Sequence, residues 1–314
     1  MIAPATLAEL VAAVRSAPRV LAVGAETKPR LSAVEAVKIS TRGLRGIVEY
    51  EPEEFTFTAL AGTPLADVVA ALAERNQYLP FDPLFVAAGG TLGGAVAAGI
   101  SGPGRFRYGG IRDFILGVRF VDGMGRLLRL GGKVVKNAAG FDVPKFLVGS
   151  LGRFGVIGEV TFKVFPRPEA TLTRELPFAA ETLARLARSR LEPDALDVPP
   201  GGATLLVRLA GPGRAIETLA RKVGGRDVDG AIWDRVRDTP WRFKADLTPP
   251  ELPAFRAAHV SGAGTLALAT EPLPRGLTLS GAGPLWPGGR PRHAIEEAVK
   301  MALDPDHRFP TLDD

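Results

Sequence analysis

The sequence predicts an α+β protein of two domains, and three observations carry this prediction. Short apolar segments typical of strands alternate with capped amphipathic helices along the 314 residues. Two strand-like segments flank the turn sequence DGMG, which indicates an antiparallel hairpin. The segment PRP at residues 166–168 separates a glycine-rich first part from a second part with a different residue pattern. We therefore expect a larger N-terminal domain, residues 1–168, and a smaller α+β domain with an antiparallel sheet, residues 169–314.

The first elements are indicated by capping residues and by hydrophobic periodicity. TLAELVAAVRSA predicts an amphipathic helix, because Thr6 and Glu9 have the spacing of a capping box. RVLAVG predicts a short strand that ends at Gly24, and RGIVEY and FTFTALAG predict two further strands around the turn EPEE. TPLADVVAALAERN then predicts a helix with Thr63 as its N-cap.

An uncharged run, PLFVAAGGTLGGAVAAGISGPG, occupies residues 83–104 and permits three interpretations. It is long enough to cross a membrane, but strands surround it and no second span exists, so we do not expect a membrane helix. Its glycines can bring consecutive N–H groups together around a pyrophosphate, or they can form a buried loop without a ligand. The residues alone leave these two readings open. In either case we expect a buried strand and turn.

The later elements continue the mixed pattern. A helix is predicted around residues 143–148 and a strong strand at Val156–Phe165. In the second domain, ETLARLARSRL and RAIETLARKVGG predict helices, whereas TLLVRLAG, WRFKADL and GTLALAT predict strands. The tail HAIEEAVKMALDPDHRFP predicts one more helix followed by an extended end.

Composition and motifs exclude several classes of function. The chain has no cysteine, which excludes disulfides, thiolate metal sites and Fe–S ligation by this chain. The net charge of +5 comes from basic residues scattered among acidic ones, a pattern that does not indicate nucleic-acid binding. No stretch fits a Rossmann fingerprint or a Walker loop. The absence of a signal-peptide pattern makes the cytoplasm the expected location.

Candidates for acid–base or anion-binding roles are few. The three histidines are His259, His293 and His307, and none has a partner at metal-ligand spacing, so no metal site is expected. Arg242 lies on a predicted strand and could face an anionic ligand, although an ordinary exposed arginine is the more common case. No catalytic residue is assigned from the sequence. His259 and Arg242 are weak candidates for a base or substrate contact.

Taken in order, the motifs resemble a known family of flavoproteins. They are RGIVEYEPEEFTFTALAGTPLADVVAALAERNQYLPFDP, GGTLGGAVAAGISGPGRFRYGGIRDFILGVRFVDGMG, LGGKVVKNAAGFDVPKFLVGSLGRFGVIGEVTFKVFPRP and ALDPDHRFP. This series resembles the FAD-binding domains of the p-cresol methylhydroxylase/vanillyl-alcohol oxidase (PCMH) class. Within that class it is similar to the E subunits of bacterial glycolate oxidases. The resemblance implies an FAD domain of two subdomains, about residues 1–44 and 45–168, followed by a smaller cap domain.

The resemblance also implies which residues contact FAD. The cofactor would be held non-covalently, because the motifs within residues 1–168 contain no histidine or cysteine to tether it, although a tyrosine link stays open. The implied contacts, taken in chain order, are Val23, Gly24, Ala25, Thr27, Lys28, Gly90, Thr91, Gly93, Gly94, Ser101, Gly102, Tyr108, Gly109, Asn137, Gly155, Val156 and Ile157. The first loop, GAETKP, departs from the family's small and glycine-rich form. Glu26 would face a pyrophosphate unless it points away, and Lys28 could compensate for its charge.

The functional expectation follows from the same resemblance. The chain would be the FAD-binding subunit of a glycolate oxidase-like complex, with a catalytic flavoprotein subunit, an Fe–S subunit and a small 2-hydroxy acid as partners. Relatives that oxidise such acids carry a histidine-rich metal motif, which this sequence lacks. Two alternatives stay open: a self-sufficient FAD oxidoreductase, and a structural subunit with an empty flavin site. No nucleic-acid partner and no transmembrane segment are expected, although partners could hold the chain at the inner membrane.

Overall fold

The computed structural model describes residues 1–132, 142–290 and 292–314. The helices are α1 (Leu7–Arg15), α2 (Leu65–Ala73), α3 (Leu92–Ala98), α4 (Arg105–Tyr108), α5 (Val143–Phe146), α6 (Ala180–Ala187), α7 (Gly213–Val223), α8 (Ala231–Asp238) and α9 (Ala294–Leu303). The strands are β1 (Val20–Val23), β2 (Val37–Ser40), β3 (Ile47–Glu51), β4 (Thr56–Leu60), β5 (Gln77–Tyr78), β6 (Ile115–Val121), β7 (Leu127–Gly131), β8 (Val156–Lys163), β9 (Phe165–Pro166), β10 (Ala170–Pro177), β11 (Ala195–Asp197), β12 (Thr204–Gly211), β13 (Arg226–Val228), β14 (Phe243–Asp246), β15 (His259–Ser261), β16 (Leu266–Ala269) and β17 (Leu277–Thr278). This α+β composition confirms the predicted fold class.

The N-terminal layer consists of α1 and a small parallel sheet, β1–β2. Helix α1 begins where the sequence predicts, since the Thr6 hydroxyl accepts a hydrogen bond from the N–H of Glu9 at 3.1 Å. The apolar face of α1 packs with β1 against the end of the large sheet, through the buried residues Leu10, Val14 and Val156. This packing places the loop after β1 at the end of the large sheet where β8 begins.

The large sheet has five antiparallel strands in the order β3-β4-β8-β6-β7. The predicted hairpin is confirmed, because β6 and β7 pair across the DGMG turn with Val121 opposite Leu127. Helices α2 and α3 pack against this sheet and bury a core that includes Phe57, Phe162 and Val96.

Helix α2 begins one residue later than expected. Pro64 rather than Thr63 is its N-cap. Thr63 instead donates its hydroxyl to the carbonyl of Leu60 at 2.7 Å, so this side chain closes the turn that leads from β4 into the helix.

The uncharged run contains a helix, so the expectation of a strand and turn is wrong. Residues 92–98 form α3, which is capped at its start by the Thr91 hydroxyl, an acceptor for the N–H of Gly94 at 3.3 Å. Gly99 ends the helix in the left-handed conformation, with φ +60°. Burial of Leu92 and Val96 offsets the low helix propensity of the two internal glycines. No helix in residues 1–132, 142–290 and 292–314 is long and apolar enough to cross a membrane.

The C-terminal part contains two antiparallel four-stranded sheets, β11-β12-β10-β13 and β15-β16-β14-β17. A bridge between Val198 and Val260 joins them, with reciprocal N–H to carbonyl hydrogen bonds of 2.8 Å. One hydrophobic core spans both sheets and includes Leu205 and Val207 of β12 and Phe243 of β14. The predicted antiparallel sheet is therefore present as two linked sheets.

Candidate functional site

A cavity of about 90 Å³, open to solvent, lies between the N-terminal layer and the large sheet. The cavity is bounded by the loop after β1, the start of α3, the end of β4 and the start of β8. Its lining residues are Ala22, Val23, Gly24, Ala25, Glu26, Thr27, Lys28, Leu31, Ser32, Thr41, Ala61, Thr91, Gly93, Gly94, Ala97, Ala98, Leu151, Gly152, Gly155 and Ile157. We call it the cofactor cavity below.

Residues 24–28 form a loop that lines this cavity. Among the hydrogen bonds of the described residues, none is donated by the backbone N–H groups of residues 24–28. The Thr41 hydroxyl donates to the carbonyl of Val23 at 3.3 Å and fixes the start of the loop. Backbone N–H groups seldom go without an acceptor in a folded protein, so these donors are suited to an anionic ligand.

The first backbone N–H groups of α3 are already hydrogen-bonded, so this segment shapes the cavity and offers these donors to no ligand. The N–H of Gly93 is taken by the carbonyl of Ala61 at 2.7 Å, and that of Leu92 by the carbonyl of Thr63 at 2.9 Å. A Cβ atom on Gly24 would lie 2.6 Å from the Thr91 hydroxyl oxygen, so the two loops touch only because residue 24 has no side chain. The glycines therefore bring the walls of the cavity together, and the donors come from the first loop.

Glu26 is neutralised by a neighbour. Its backbone is left-handed, with φ +53°, and its carboxylate forms an ion pair with Lys38 at 3.2 Å. The hydroxyl of Ser32 lies 3.5 Å from the same carboxylate oxygen. The acidic side chain that departs from the family pattern thus has a cation of its own.

Lys28 lines the cavity and has no carboxylate partner among the residues that the structure describes. Its Nζ donates to the Thr27 hydroxyl at 3.0 Å and lies 4.6 Å from the centre of the Phe85 ring. No carboxylate within the described ranges forms an ion pair with it. Burial lowers the pKa of Lys28 to about 8. A half-buried ammonium group beside free N–H groups fits a ligand that carries phosphate.

The structure brings together ten of the seventeen residues that the resemblance implies. The ten that line the cofactor cavity are Val23, Gly24, Ala25, Thr27, Lys28, Thr91, Gly93, Gly94, Gly155 and Ile157. Asn137 lies outside the described residues. The remaining six, Gly90, Ser101, Gly102, Tyr108, Gly109 and Val156, are not among the lining residues.

Four of these six have clear structural roles. The Ser101 hydroxyl accepts the N–H of Ile111 at 2.9 Å, and the N–H of Gly102 donates to a carbonyl of the preceding loop at 2.8 Å. Gly109 has φ +85°, a conformation that favours glycine. Val156 is fully buried in the core beside α1. These contacts shape the segments that flank the cavity.

Several lining residues are not indicated by the sequence. Ala61 and Thr41 stand at strand ends, and nothing in the sequence marks them. Gly152 has φ +73° and belongs to the glycine-punctuated turn GSLGRFG, which is the one available signal. Leu31 and Leu151 add an apolar wall at the end of the cavity nearest the C-terminal part.

The two residues considered for a base or a substrate contact, His259 and Arg242, lie outside the cofactor cavity. His259 is buried, and its Nε2 is 2.8 Å from Asp197 Oδ2, a contact that links β15 to β11. The Arg242 guanidinium stacks over the Phe243 ring at 5.6 Å. Neither residue lines the cofactor cavity. Among the described residues, no cluster of histidine, cysteine and carboxylate groups could hold a metal ion.

A buried polar network joins the two parts of the chain. Arg208 donates to Asp82 Oδ2 at 2.5 Å and also to Asp194, and its guanidinium lies 5.1 Å from the centre of the Trp233 ring. Burial alone would lower the pKa of Arg208, but the two carboxylates outweigh it and raise that pKa. Burial, followed by the negative charge of Asp194, raises the pKa of Tyr108. The network therefore keeps Arg208 charged.

The same Asp82 fixes the segment that leads into α4. Its Oδ2 accepts the N–H of Gly104 at 2.7 Å. Elsewhere around the cavity, Lys244 donates to the carbonyl of Gly99 at 3.2 Å, and the N–H of Arg30 donates to a carbonyl of the C-terminal part at 3.0 Å. The C-terminal part thus contacts the segment that leads into α4 and two segments that adjoin lining residues of the cofactor cavity.

Comparison with known proteins agrees with this arrangement. Residues 1–131 match the family described as FAD binding domain. Two crystal forms of alkyldihydroxyacetonephosphate synthase share the fold, with TM-scores of 0.68 and 0.69 at 16% identity. The matches cover 98% of this chain and 74% of the synthase chain. Fold, cavity and family match together define a flavoprotein of the PCMH type, with FAD as its cofactor.

The relatives narrow this class further. Glycolate oxidase subunit GlcE of Escherichia coli (strain K12) is 36% identical over 244 residues, which is 72% of this chain and 68% of GlcE. Glycolate oxidase subunit GlcD of Bacillus subtilis (strain 168) is 30% identical over 156 residues, 48% of this chain but only 33% of GlcD. The chain belongs to the family of glycolate oxidase E subunits, which are FAD-binding subunits of an oxidoreductase.

Proposed function

We propose that this chain holds FAD within a multi-subunit complex that oxidises a small 2-hydroxy acid. One observation carries the proposal: the cofactor cavity combines free N–H groups at residues 24–28 with the unpaired cation Lys28. A dinucleotide with a diphosphate is the ligand that this donor set suits. Glu26 does not oppose such a ligand, because Lys38 neutralises it.

The chain's own residues would bind and orient the cofactor. The N–H groups of Gly24, Ala25 and Thr27 would donate to the diphosphate, and Lys28 would balance its charge. The glycines at the start of α3 would let the cofactor approach the backbone closely. Bound FAD supplies hydride acceptance and one-electron transfer. Residues 1–168 would form the FAD domain and residues 169–314 the cap domain with its C-terminal tail.

The subunit role rests on what surrounds the cavity. Its described lining contains no histidine, and its one carboxylate, Glu26, is engaged with Lys38. A group able to remove a proton from a 2-hydroxy acid would then come from a partner. The partners proposed are a catalytic flavoprotein subunit and an Fe–S subunit. We propose a cytoplasmic location, at the inner membrane where partners hold it there.

Flavin reduction by substrate tests this division of labour. The purified chain loaded with FAD is mixed without oxygen with glycolate or D-lactate, and flavin absorbance is followed. We expect no bleaching of the isolated chain and rapid bleaching once the two partner subunits are co-purified with it. Bleaching of the isolated chain at the rate of the complex would favour a self-sufficient enzyme instead. Failure of the chain to hold FAD in either preparation would favour a structural subunit.

A further inference from the structure

Arg153 is a buried cation whose guanidinium is only partly satisfied. Its side chain is fully buried, with 0% of its surface exposed. Its Nη2 donates to the carbonyl of Leu31 at 3.1 Å, while Nε and Nη1 have no hydrogen-bond partner within the described residues. Burial is the main cause that lowers the pKa of Arg153, to about 10. A guanidinium group placed in this way needs a nearby anion.

The guanidinium stands between two cavities. Arg153 itself lines a second cavity beside α9, and its Nη2 reaches the back of the cofactor cavity wall at Leu31. Leu31, which accepts its hydrogen bond, lines that cavity, as do Leu151 and Gly152 just before it in the chain. Lys300 donates to the carbonyl of Arg153 at 2.7 Å and so fixes the backbone at this point. Arg153 therefore stands one layer behind the cavity surface, with its charge held in place.

Most charges on the other side of Arg153 are already engaged. Around the second cavity, Arg290 pairs with Glu296 and Asp313, Arg292 with Asp313, and Lys300 with Asp304, while the remaining lining carboxylate, Glu297, is exposed to solvent. Asp314 also raises the pKa of Arg153, but its carboxylate pairs with Arg19 at 3.2 Å. The cofactor cavity is different, because its carboxylate is paired whereas its cation Lys28 has no ion pair within the described part of the chain.

We propose that Arg153 and Lys28 together balance the two negative charges of the FAD diphosphate, Lys28 from the surface of the cavity and Arg153 from behind its wall. This inference rests on the proposed function. Arg153 acts at a distance through a wall of low polarity, where charges are screened less than in water. It is a positioning residue for the cofactor rather than a catalytic one.

The test compares two ligands that share a flavin ring. Apoprotein is titrated with FAD and with riboflavin, which lacks the diphosphate, and the quenching of flavin fluorescence gives each Kd. We expect Arg153→Met to weaken FAD binding by at least about tenfold and to leave riboflavin binding unchanged. Arg153→Lys, which keeps the charge, should stay within about threefold of the wild type. Arg45→Met removes an equal charge from an exposed ion pair with Asp67 and should change neither Kd.

Each outcome of these titrations supports or overturns the role of Arg153. An unchanged FAD Kd in Arg153→Met, with FAD binding weakened in Lys28→Met, would overturn the role of Arg153 and leave the proposed function standing. Equal weakening of FAD and riboflavin would also overturn it, because the effect would then not concern the diphosphate. Should Arg153→Met fail to fold, Arg153→Gln and Arg153→Lys provide the same comparison of charge. Absence of FAD binding by the wild type would instead refute the proposed function.

Discussion

Arg208 Nη2 lies 2.5 Å from Asp82 Oδ2, and this contact joins the C-terminal part to the segment that leads into α4. The two residues are 126 positions apart in the chain. Both side chains are almost completely buried, at 11% and 9% exposure. Asp194 shares the same guanidinium, so one cation serves two buried carboxylates.

Removal of Arg208 should destabilise the protein strongly. Arg208→Met leaves Asp82 and Asp194 buried without their cation, which typically costs about 3–5 kcal/mol of unfolding free energy. Urea denaturation followed by circular dichroism measures the change. Arg45→Met is the matched control, because its ion pair with Asp67 is exposed and should contribute less than about 1 kcal/mol. Equal effects of the two substitutions would contradict the role assigned to the buried pair.

Lys28 should matter for the cofactor and not for the fold. Lys28→Met removes a partly buried charge, so the apoprotein should melt at the same or a higher temperature. FAD binding should weaken by roughly tenfold or more, because a charge-assisted contact to phosphate is lost. Lys28→Arg keeps the charge and should retain most of the affinity. A FAD Kd unaffected by Lys28→Met would show that this ammonium group does not face the diphosphate.

The pKa of Lys28 predicts how FAD affinity changes with pH. In the apoprotein this pKa is about 8, so the charged form is dominant at pH 7 and is lost as the pH rises through 8. An anionic ligand binds the charged form better, so the FAD Kd should increase roughly tenfold between pH 7 and about pH 9.5. Titrations across this range measure it. The increase should disappear in Lys28→Met, and its persistence there would assign it to another group.

Gly24 should tolerate no side chain. A Cβ at this position would lie 2.6 Å from the Thr91 hydroxyl oxygen and would separate the two loops that bound the cavity. Gly24→Val should therefore abolish FAD binding while α1 and the large sheet stay folded, which fluorescence titration and circular dichroism measure. Gly230→Ala is the control, since nothing lies within 4 Å of its added Cβ. Normal FAD binding by Gly24→Val would mean that the cofactor does not need this contact.

Local patterns explain how much of the fold can be predicted. Thr6 marks the start of α1 and the DGMG turn marks the β6–β7 hairpin, because both depend on residues close together in sequence. Helix α3 is not predicted, because its glycines have low helix propensity, which burial of Leu92 and Val96 overcomes. The contact of Arg208 with Asp82 joins distant segments, and no local pattern marks it.

The candidate site, too, could be predicted from the sequence only in part. The family motifs place Gly24, Thr91 and Gly155 around one cavity, as the structure does. They do not indicate that the N–H of Gly93 is already occupied, which depends on the strand end at Ala61. The burial of Arg153 is also invisible in the sequence, where an arginine is expected to be exposed.

The central claim is that this chain holds FAD non-covalently in the cofactor cavity. Equilibrium dialysis of the apoprotein against FAD, followed by acid precipitation, tests it most directly. We expect one FAD per chain at saturation and all of it in the supernatant after precipitation. Absence of bound FAD at saturating concentration, or flavin that stays with the precipitated protein, would contradict the claim.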